Sequence, residues 1–240
     1  MRKLAAIFFD IDDTLYSTSE FARRARANSV DAMIAAGLRT DRGTALAELD
    51  EVIAEFSSNY GNHFDKLLIR LPEEATKGLN PAMLVASAVV AYHETKSREL
   101  AAYPDALELL KDLQRVGLIV GVITAGPAIK QAEKIVRLHI GKHLSPNAIF
   151  ISDQIGISKP NPKLYLRACQ SVGVQPSEAM YVGDNPPNDV DPPQSIGMIA
   201  VLNRRSGKYI AVAGRTRPDY EISSFVQLRA ILRSDFELAV

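Results

Sequence analysis

An apolar run, Leu4-Ala5-Ala6-Ile7-Phe8-Phe9, breaks abruptly into Asp10-Ile11-Asp12-Asp13-Thr14, and the hydrophobic spacing then changes twice along the chain. The run reads as a buried strand over 4–9. From Thr18 to Leu100 the apolar positions recur at near-helical spacing. Ala22, Ala25, Val30, Met33 and Ile34 predict a first helix stopped by Gly37. Leu46, Leu49, Val52, Ile53 and Phe56 predict a second, from Thr44 to Tyr60. Phe64, Leu67, Leu68 and Leu71 predict a third that ends at Pro72. Asn80-Pro81 opens a fourth, with Asn as N-cap and Pro at the first helical position, continuing through Val85, Val89 and Tyr92. Four helices inserted after one strand predict a separate bundle.

After Tyr103-Pro104 the pattern alternates. A helix over 105–116 ends at Gly117, and Leu118-Ile119-Val120-Gly121-Val122-Ile123 is a continuous apolar strand. Then come a helix from Pro127 to Leu138, a strand over 148–151, a helix from Pro162 to Val172, strands over 179–182 and 198–202, and a closing helix over 224–233. Continuous apolar strands separated by helices indicate a parallel sheet covered on both faces. The expected fold class is α/β, with a doubly wound parallel sheet and an inserted helical bundle.

Composition narrows the function more than the fold. The chain has 240 residues, 47% hydrophobic and 23% charged, as in an ordinary globular protein, either one large domain or a core with a smaller module. A formal net charge of zero makes no case for nucleic acid or an anionic membrane as partner. Arg23, Arg24 and Arg26 read as a solvated helix face, and Arg204, Arg205 and Lys208 as a surface loop. Cys169 is the only cysteine, so an intrachain disulfide and a cysteine-based zinc site are excluded. Its place beside Leu166 and Val172 makes it a small buried hydrophobe. Met1-Arg2-Lys3 looks like the start of a signal peptide, but the apolar run after it is short of the ~7–15 residues required. No stretch approaches the ~18 apolar residues of a membrane helix. The cytoplasm is the expected location.

Ligands of open α/β sheets bind outside the carboxyl ends of the strands, which directs attention to the residues directly after each strand. In order, these are Asp10 and Asp12, then Thr124, then Gly183-Asp184. Lys159 precedes a helix in Ser158-Lys159-Pro160-Asn161-Pro162, and Asn188-Asp189 lies beyond Asp184. In an extended segment Asp10 and Asp12 point to one side. Two charges about 4 Å apart repel by roughly 4 kcal/mol at a dielectric of 20, a cost that a cation or a bound proton relieves. Singly, each residue has an ordinary explanation: an acidic turn, a turn before a helix, a surface lysine. Even so, a helix start disfavours positive charge. Their joint appearance, in order, at successive strand ends has no such explanation.

With these residues the chain resembles the haloacid dehalogenase superfamily, whose members are mostly Mg-dependent phosphatases with an aspartate nucleophile. The four motifs of that family match Asp10-Ile11-Asp12-Asp13-Thr14, Thr124, Lys159, and Gly183-Asp184 with Asp189, and the resemblance covers essentially the whole chain. Asn62-His63-Phe64-Asp65, Ala91-Tyr92-His93-Glu94-Thr95-Lys96 and the length of the insert look like the archaeal glyceraldehyde 3-phosphate phosphatases. The resemblance implies a Rossmann-like catalytic core over 1–16 and 101–240, with a four-helix cap over 17–100. It also implies a small phosphorylated metabolite as substrate.

The chemistry suits those residues. Asp10, ionised at pH 7 if its pKa is the ordinary one of about 3.9, can attack phosphorus to form an aspartyl-phosphate. Asp12 protonates the departing alkoxide and then deprotonates the hydrolytic water, a task that calls for a raised pKa. Mg2+, hard and oxygen-seeking, would suit the Asp10 carboxylate, the Asp12 carbonyl and Asp184 as ligands, with Asp189 expected to hold a metal-bound water. Thr124 and the N–H groups of Ala125 and Gly126 cradle phosphate oxygens near a helix start, Lys159 offsets charge repulsion, and Thr14 braces the loop.

The chain departs from the family pattern at two places. Ala125 stands where Asn or Asp is common, and Asp191-Pro192-Pro193 replaces a Gly-Ala pair inside a helix. Because interior proline costs ~3 kcal/mol, that helix is expected to begin late, near Pro193. Three rival functions share the scaffold. A 2-haloacid dehalogenase expels halide without a proton and lacks equivalents of Asp12 and the metal carboxylates. A phosphomutase needs a protected phospho-enzyme and an acceptor hydroxyl. A catalytically silent binding protein would dispense with Asp10 or Lys159. His63, Lys66 and Arg24 are weak candidates for contacting substrate, with core or surface placement as the alternative.

Overall fold

The computed structural model describes residues 3–240, so the charged start at Met1 and Arg2 lies outside it. The chain forms two compact units, Met1–Ser19 with Ala101–Val240, and Glu20–Leu100.

The first unit is built on six parallel strands: β1 (Ala6–Phe9), β2 (Ile119–Thr124), β3 (Ile149–Ile151), β4 (Ala179–Gly183), β5 (Ile199–Asn203) and β6 (Tyr220–Ile222). Their order in the sheet is β3-β2-β1-β4-β5-β6. Every residue of β1, β4 and β5 is buried. Successive side chains point to opposite faces, so burial of all of them means that both faces are covered. Chain order reverses on either side of β1, which makes the β1–β4 junction the switch point where such sheets place their ligands. Phe8 lies opposite Gly121 in the register. A Cβ on Gly121 would sit 2.7 Å from the Phe8 ring and 2.5 Å from the Ala148 carbonyl oxygen, so the ring can cross β2 only at glycine. Phe8 meets Phe150 edge-on at 6.0 Å.

The second unit is helical: α1 (Thr18–Ala35, starting just before the unit boundary), α2 (Arg42–Phe56), α3 (His63–Arg70), α4 (Glu73–Thr76) and α5 (Pro81–Glu99). Five helices stand where the spacing predicts four, because α4 is a single turn too short to show periodicity. Val30, Met33, Leu49, Leu67 and Leu84 fill its core; each contributes about 1.5–3 kcal/mol by burial. α2 begins earlier than Thr44, because the Asp41 carboxylate caps the Thr44 amide at 2.9 Å. It ends at Phe56 rather than Tyr60, where Ser57 turns to φ +67°. Asn80 caps α5 through the Ala82 amide at 2.9 Å. Arg24 pairs with Glu20 and Glu99, His63 Nε2 lies 2.8 Å from the Ser57 carbonyl oxygen, and the Lys66 ammonium sits over Phe56. Among the described residues no helix is long and apolar enough to cross a membrane.

The remaining helices of the first unit are α6 (Pro104–Arg115), α7 (Ala128–Arg137), α8 (Ser152–Ile155), α9 (Pro162–Ser171), α10 (Pro186–Asp189), α11 (Asp191–Ser195) and α12 (Phe225–Phe236). α11 starts at Asp191 and not near Pro193, since both prolines fit its first turn, where amides lack intrahelical partners anyway. Pro192 and Pro193 offer no amide to cap, and the Asp191 carboxylate instead accepts from the Arg215 and Thr216 amides, 2.9–3.0 Å away. The loop between β5 and β6 is not simply solvated. Arg204 Nη1 donates to the carbonyls of Tyr209, Ile210 and Val212. Arg205 holds both oxygens of Asp105 at 2.7 and 2.8 Å and lies 3.7 Å over the Tyr103 ring, while Lys208 is exposed.

Candidate active site

β1 keeps its pairing through Asp10, whose amide donates to the Val182 carbonyl at 2.9 Å, and then the chain turns. The Leu15 amide reaches back to Ile11 at 3.0 Å, and Asp13 adopts φ +51°. Beyond this turn the two carboxylates have different cations as partners. Asp10 receives Lys159 and Asp12 receives Lys134. Asp13 fastens the start of α1, accepting from the Ser19 amide at 2.9 Å and the Ser19 hydroxyl at 2.7 Å. The Thr14 hydroxyl is buried and has no hydrogen-bond partner among the described residues. The bracing contact at Thr14 is its carbonyl, which accepts from Asn203 Nδ2 at 3.3 Å.

Lys159, from the loop before α9, is 4% exposed and spends its ammonium on Asp10 Oδ1 at 2.6 Å, the Tyr181 hydroxyl at 2.6 Å and Asp189 Oδ1 at 2.9 Å. The Tyr181 hydroxyl in turn donates a hydrogen bond to the Ile123 carbonyl at 2.8 Å. Burial works to lower the Lys159 pKa, but Asp10 and Asp189 outweigh it and hold the ammonium well above its ordinary range. Burial also lifts Asp10 to about 7 against the pull of Lys159, with Asp189 and Asp12 adding to the rise. Asp184 goes to about 9, from burial first and then the charges of Asp10 and Asp189.

Asp10, Asp184 and Asp189 bring carboxylate oxygens within 4.8 Å of one another. Were all three ionised, Lys159 would leave two negative charges uncompensated, a cost that the raised pKa values of Asp10 and Asp184 answer with protons when no cation is bound. Asp184 Oδ2 is buried without a hydrogen-bond partner. An orphaned carboxylate oxygen inside an all-oxygen cluster of that charge fits a hard divalent cation. Both oxygens of Asp189 are taken, Oδ1 by Lys159 and Oδ2 by the Asn185 amide at 3.0 Å. This close approach needs glycine at the end of β4, because a Cβ on Gly183 would stand 2.5 Å from Asp189 Cβ. Gly183→Ala is expected to cost about 1–3 kcal/mol by overpacking, read as a lower urea midpoint at unchanged slope.

At the end of β2, the Thr124 hydroxyl donates to Gln131 Oε1 at 3.1 Å, and Gln131 Nε2 donates to the Ala125 carbonyl at 3.1 Å. The Gly126 amide, assigned to phosphate by the sequence, donates here to the Ser152 hydroxyl at 3.0 Å. Asp12 also differs from expectation. Burial would raise its pKa, but Lys134, Thr18 and Tyr16 together hold it below the usual carboxylate range. Gln131 and Lys134 escape a reading of strand ends because both lie on α7. The available signal is Gln131 on the stripe shared with Ile135 and Leu138, a polar side chain where the helix buries its face.

Fold and site together define an α/β enzyme with an acid–lysine centre at the switch point of its sheet. The family model for haloacid dehalogenase-like hydrolases matches residues 4–197. A glyceraldehyde 3-phosphate phosphatase of Methanopyrus kandleri is 43% identical over 236 residues, 96% of this chain and 97% of the relative. The enzyme of that name from Pyrococcus furiosus is 40% identical over 237 residues, 98% of this chain and 95% of the relative. The crystal structure of a HAD phosphatase from Thermococcus onnurineus superimposes with a TM-score of 0.67 at 25% identity, covering 95% of this chain and 98% of that one. The chain belongs to the haloacid dehalogenase-like hydrolases, and within them it is a phosphoric monoester hydrolase.

Proposed function

We propose that this hydrolase is a Mg2+-dependent phosphatase that cleaves glyceraldehyde 3-phosphate through an aspartyl-phosphate on Asp10. The substrate rests on the relatives from Methanopyrus kandleri and Pyrococcus furiosus, matched along nearly their full lengths. The observation that carries the mechanism is the 2.6 Å contact of Lys159 with Asp10 inside the acid cluster. A nucleophilic carboxylate facing a phosphate dianion needs positive charge beside it. Lys159 supplies that charge at Oδ1 and leaves Oδ2 for attack.

Asp10 Oδ2 bonds to phosphorus while the bond from phosphorus to the sugar oxygen breaks, and Asp12 gives that oxygen its proton. The dianion arriving near Asp12 opposes the effect of Lys134 and favours the protonated acid. Asp12 then takes a proton from water, whose oxygen displaces Asp10 and frees phosphate. Thr124 and the Ala125 amide, at the end of β2 before α7, are the assigned phosphate contacts, and Gly126 joins them only by giving up Ser152. Asp10, Asp184 and the Asp12 carbonyl would hold Mg2+, which supplies positive charge to the phosphoryl oxygens. Asp189, with both oxygens engaged, suits support of a metal-bound water.

Phosphate release from a panel of triose, sugar, amino-acid and nucleoside phosphates tests the reading. Glyceraldehyde 3-phosphate should give the highest kcat/KM, with activity lost in EDTA and restored by Mg2+. Asp12→Asn should lower kcat/KM for that substrate by roughly 10²–10⁴. A tenfold preference for another member of the panel overturns the substrate, and activity indifferent to EDTA overturns the cofactor. Fluoride release from fluoroacetate would instead mark a dehalogenase.

A further inference from the structure

We infer that Lys134, on α7, is a positioning residue for Asp12: it clamps both carboxylate oxygens and presents Oδ2 as the atom that exchanges the proton with the leaving group. The inference rests on the role given to Asp12 above. A carboxylate offers about four lone-pair sites. Oδ1 of Asp12 is filled, accepting from the Tyr16 hydroxyl, the Thr18 hydroxyl and the Lys134 ammonium, each at 2.7 Å. Oδ2 accepts from Lys134 at 2.6 Å and takes only a long contact of 3.3 Å from Gln131. Oδ2 is therefore the oxygen with room for a further partner.

Lys134 alone reaches both oxygens at short range. The torsion about the Cβ–Cγ bond of an aspartate is broad, so the plane of the carboxylate is set by what holds it. Tyr16 and Thr18 fix one oxygen, and the ammonium bridging both fixes the plane. Lys134 is 19% exposed and Asp12 31%, so the pair is shielded while the acid keeps an open side. Gln131, one helical turn before Lys134, ties the same clamp to the Thr124 hydroxyl. The acid and the residue assigned to phosphate are thus held by two side chains of one helix.

Loss of such a clamp has a signature that general destabilisation lacks. An alkyl phosphate expels an alkoxide that needs a proton, whereas the phenolate of 4-nitrophenyl phosphate departs without one. The ratio kcat/KM reports steps up to the first irreversible bond cleavage, where Asp12 acts as acid. Lys134→Met is expected to lower kcat/KM for glyceraldehyde 3-phosphate by roughly 10- to 10²-fold, the scale of a small misplacement, and to change that for 4-nitrophenyl phosphate by less than about 3-fold. In the Asp12→Asn background the same substitution should add no further loss on the alkyl ester. Lys134→Arg keeps the charge beside Asp12 and serves if the Met variant does not fold; it should show the same selectivity with a smaller loss. Equal losses on the two substrates, or no loss on either, overturn the inference while leaving Asp12 as acid. If Asp12→Asn itself shows no preference between the substrates, the acid role falls and the inference falls with it.

Discussion

Asp10→Asn should reduce turnover by roughly 10⁴ or more, the scale set by removal of a covalent nucleophile, and should also make the cation-free protein more stable at alkaline pH. The two effects share one cause. Asp10 is buried beside Asp184 and Asp189, and among the described residues Lys159 is the one cation paired with the cluster, through Asp10 and Asp189. Its pKa is lifted from 3.8 to about 7, so across that interval the folded state binds more protons than the unfolded chain. The contribution of Asp10 to stability is therefore full below its unfolded pKa and lost as pH rises through about 7. Asparagine has no charge to lose. The Tm of the variant in EDTA should match the wild type near pH 4, exceed it by a margin that grows up to about pH 7, and keep that margin at pH 8. Residual turnover within about 10² of wild type would overturn attack by Asp10.

Lys159→Met should act in the opposite sense and more severely. It leaves Asp10, Asp189 and the Tyr181 hydroxyl facing one another with no cation. Removing one partner of a buried ion pair costs about 3–5 kcal/mol. Acid should recover part of that loss, because burial first, and the charge of Asp189 among the neighbouring acids, already favour protonation of Asp10 and Asp184, and for Asp10 the variant removes the opposing pull of Lys159. A divalent cation should recover part of it at high pH. Urea titrations at pH 5.5 and 8, with and without Mg2+, measure both, while turnover should be absent throughout. A cost independent of pH and of cation would show that the cluster is not governed by its charge.

Residues whose meaning is set by the strand they follow were legible from the chain itself. Asp10, Thr124 and Asp184 are recognisable because long apolar runs mark where β1, β2 and β4 stop, and the parallel sheet then gathers their ends. β6 left no such mark. It is three residues long, only Ile222 is buried, and it lies at the edge of the sheet, so no run of apolar residues announces it. α8 and α10 are single turns, too brief to express a period. Lys134 is one of two lysines on the amphipathic helix α7, and its partner is 122 residues away. Arg205 was hidden for the same reason, since Asp105 and Tyr103 reach it only in the folded chain.

The two prolines at the start of α11 carry a consequence beyond that helix. Helix starts commonly spend a polar side chain on their own amides; here Pro192 and Pro193 have none to offer, and the Asp191 carboxylate goes to the backbone 24 and 25 residues later. A deficit of donors in one turn has become a staple, pinning the long excursion that delivers the outermost strand to the sheet.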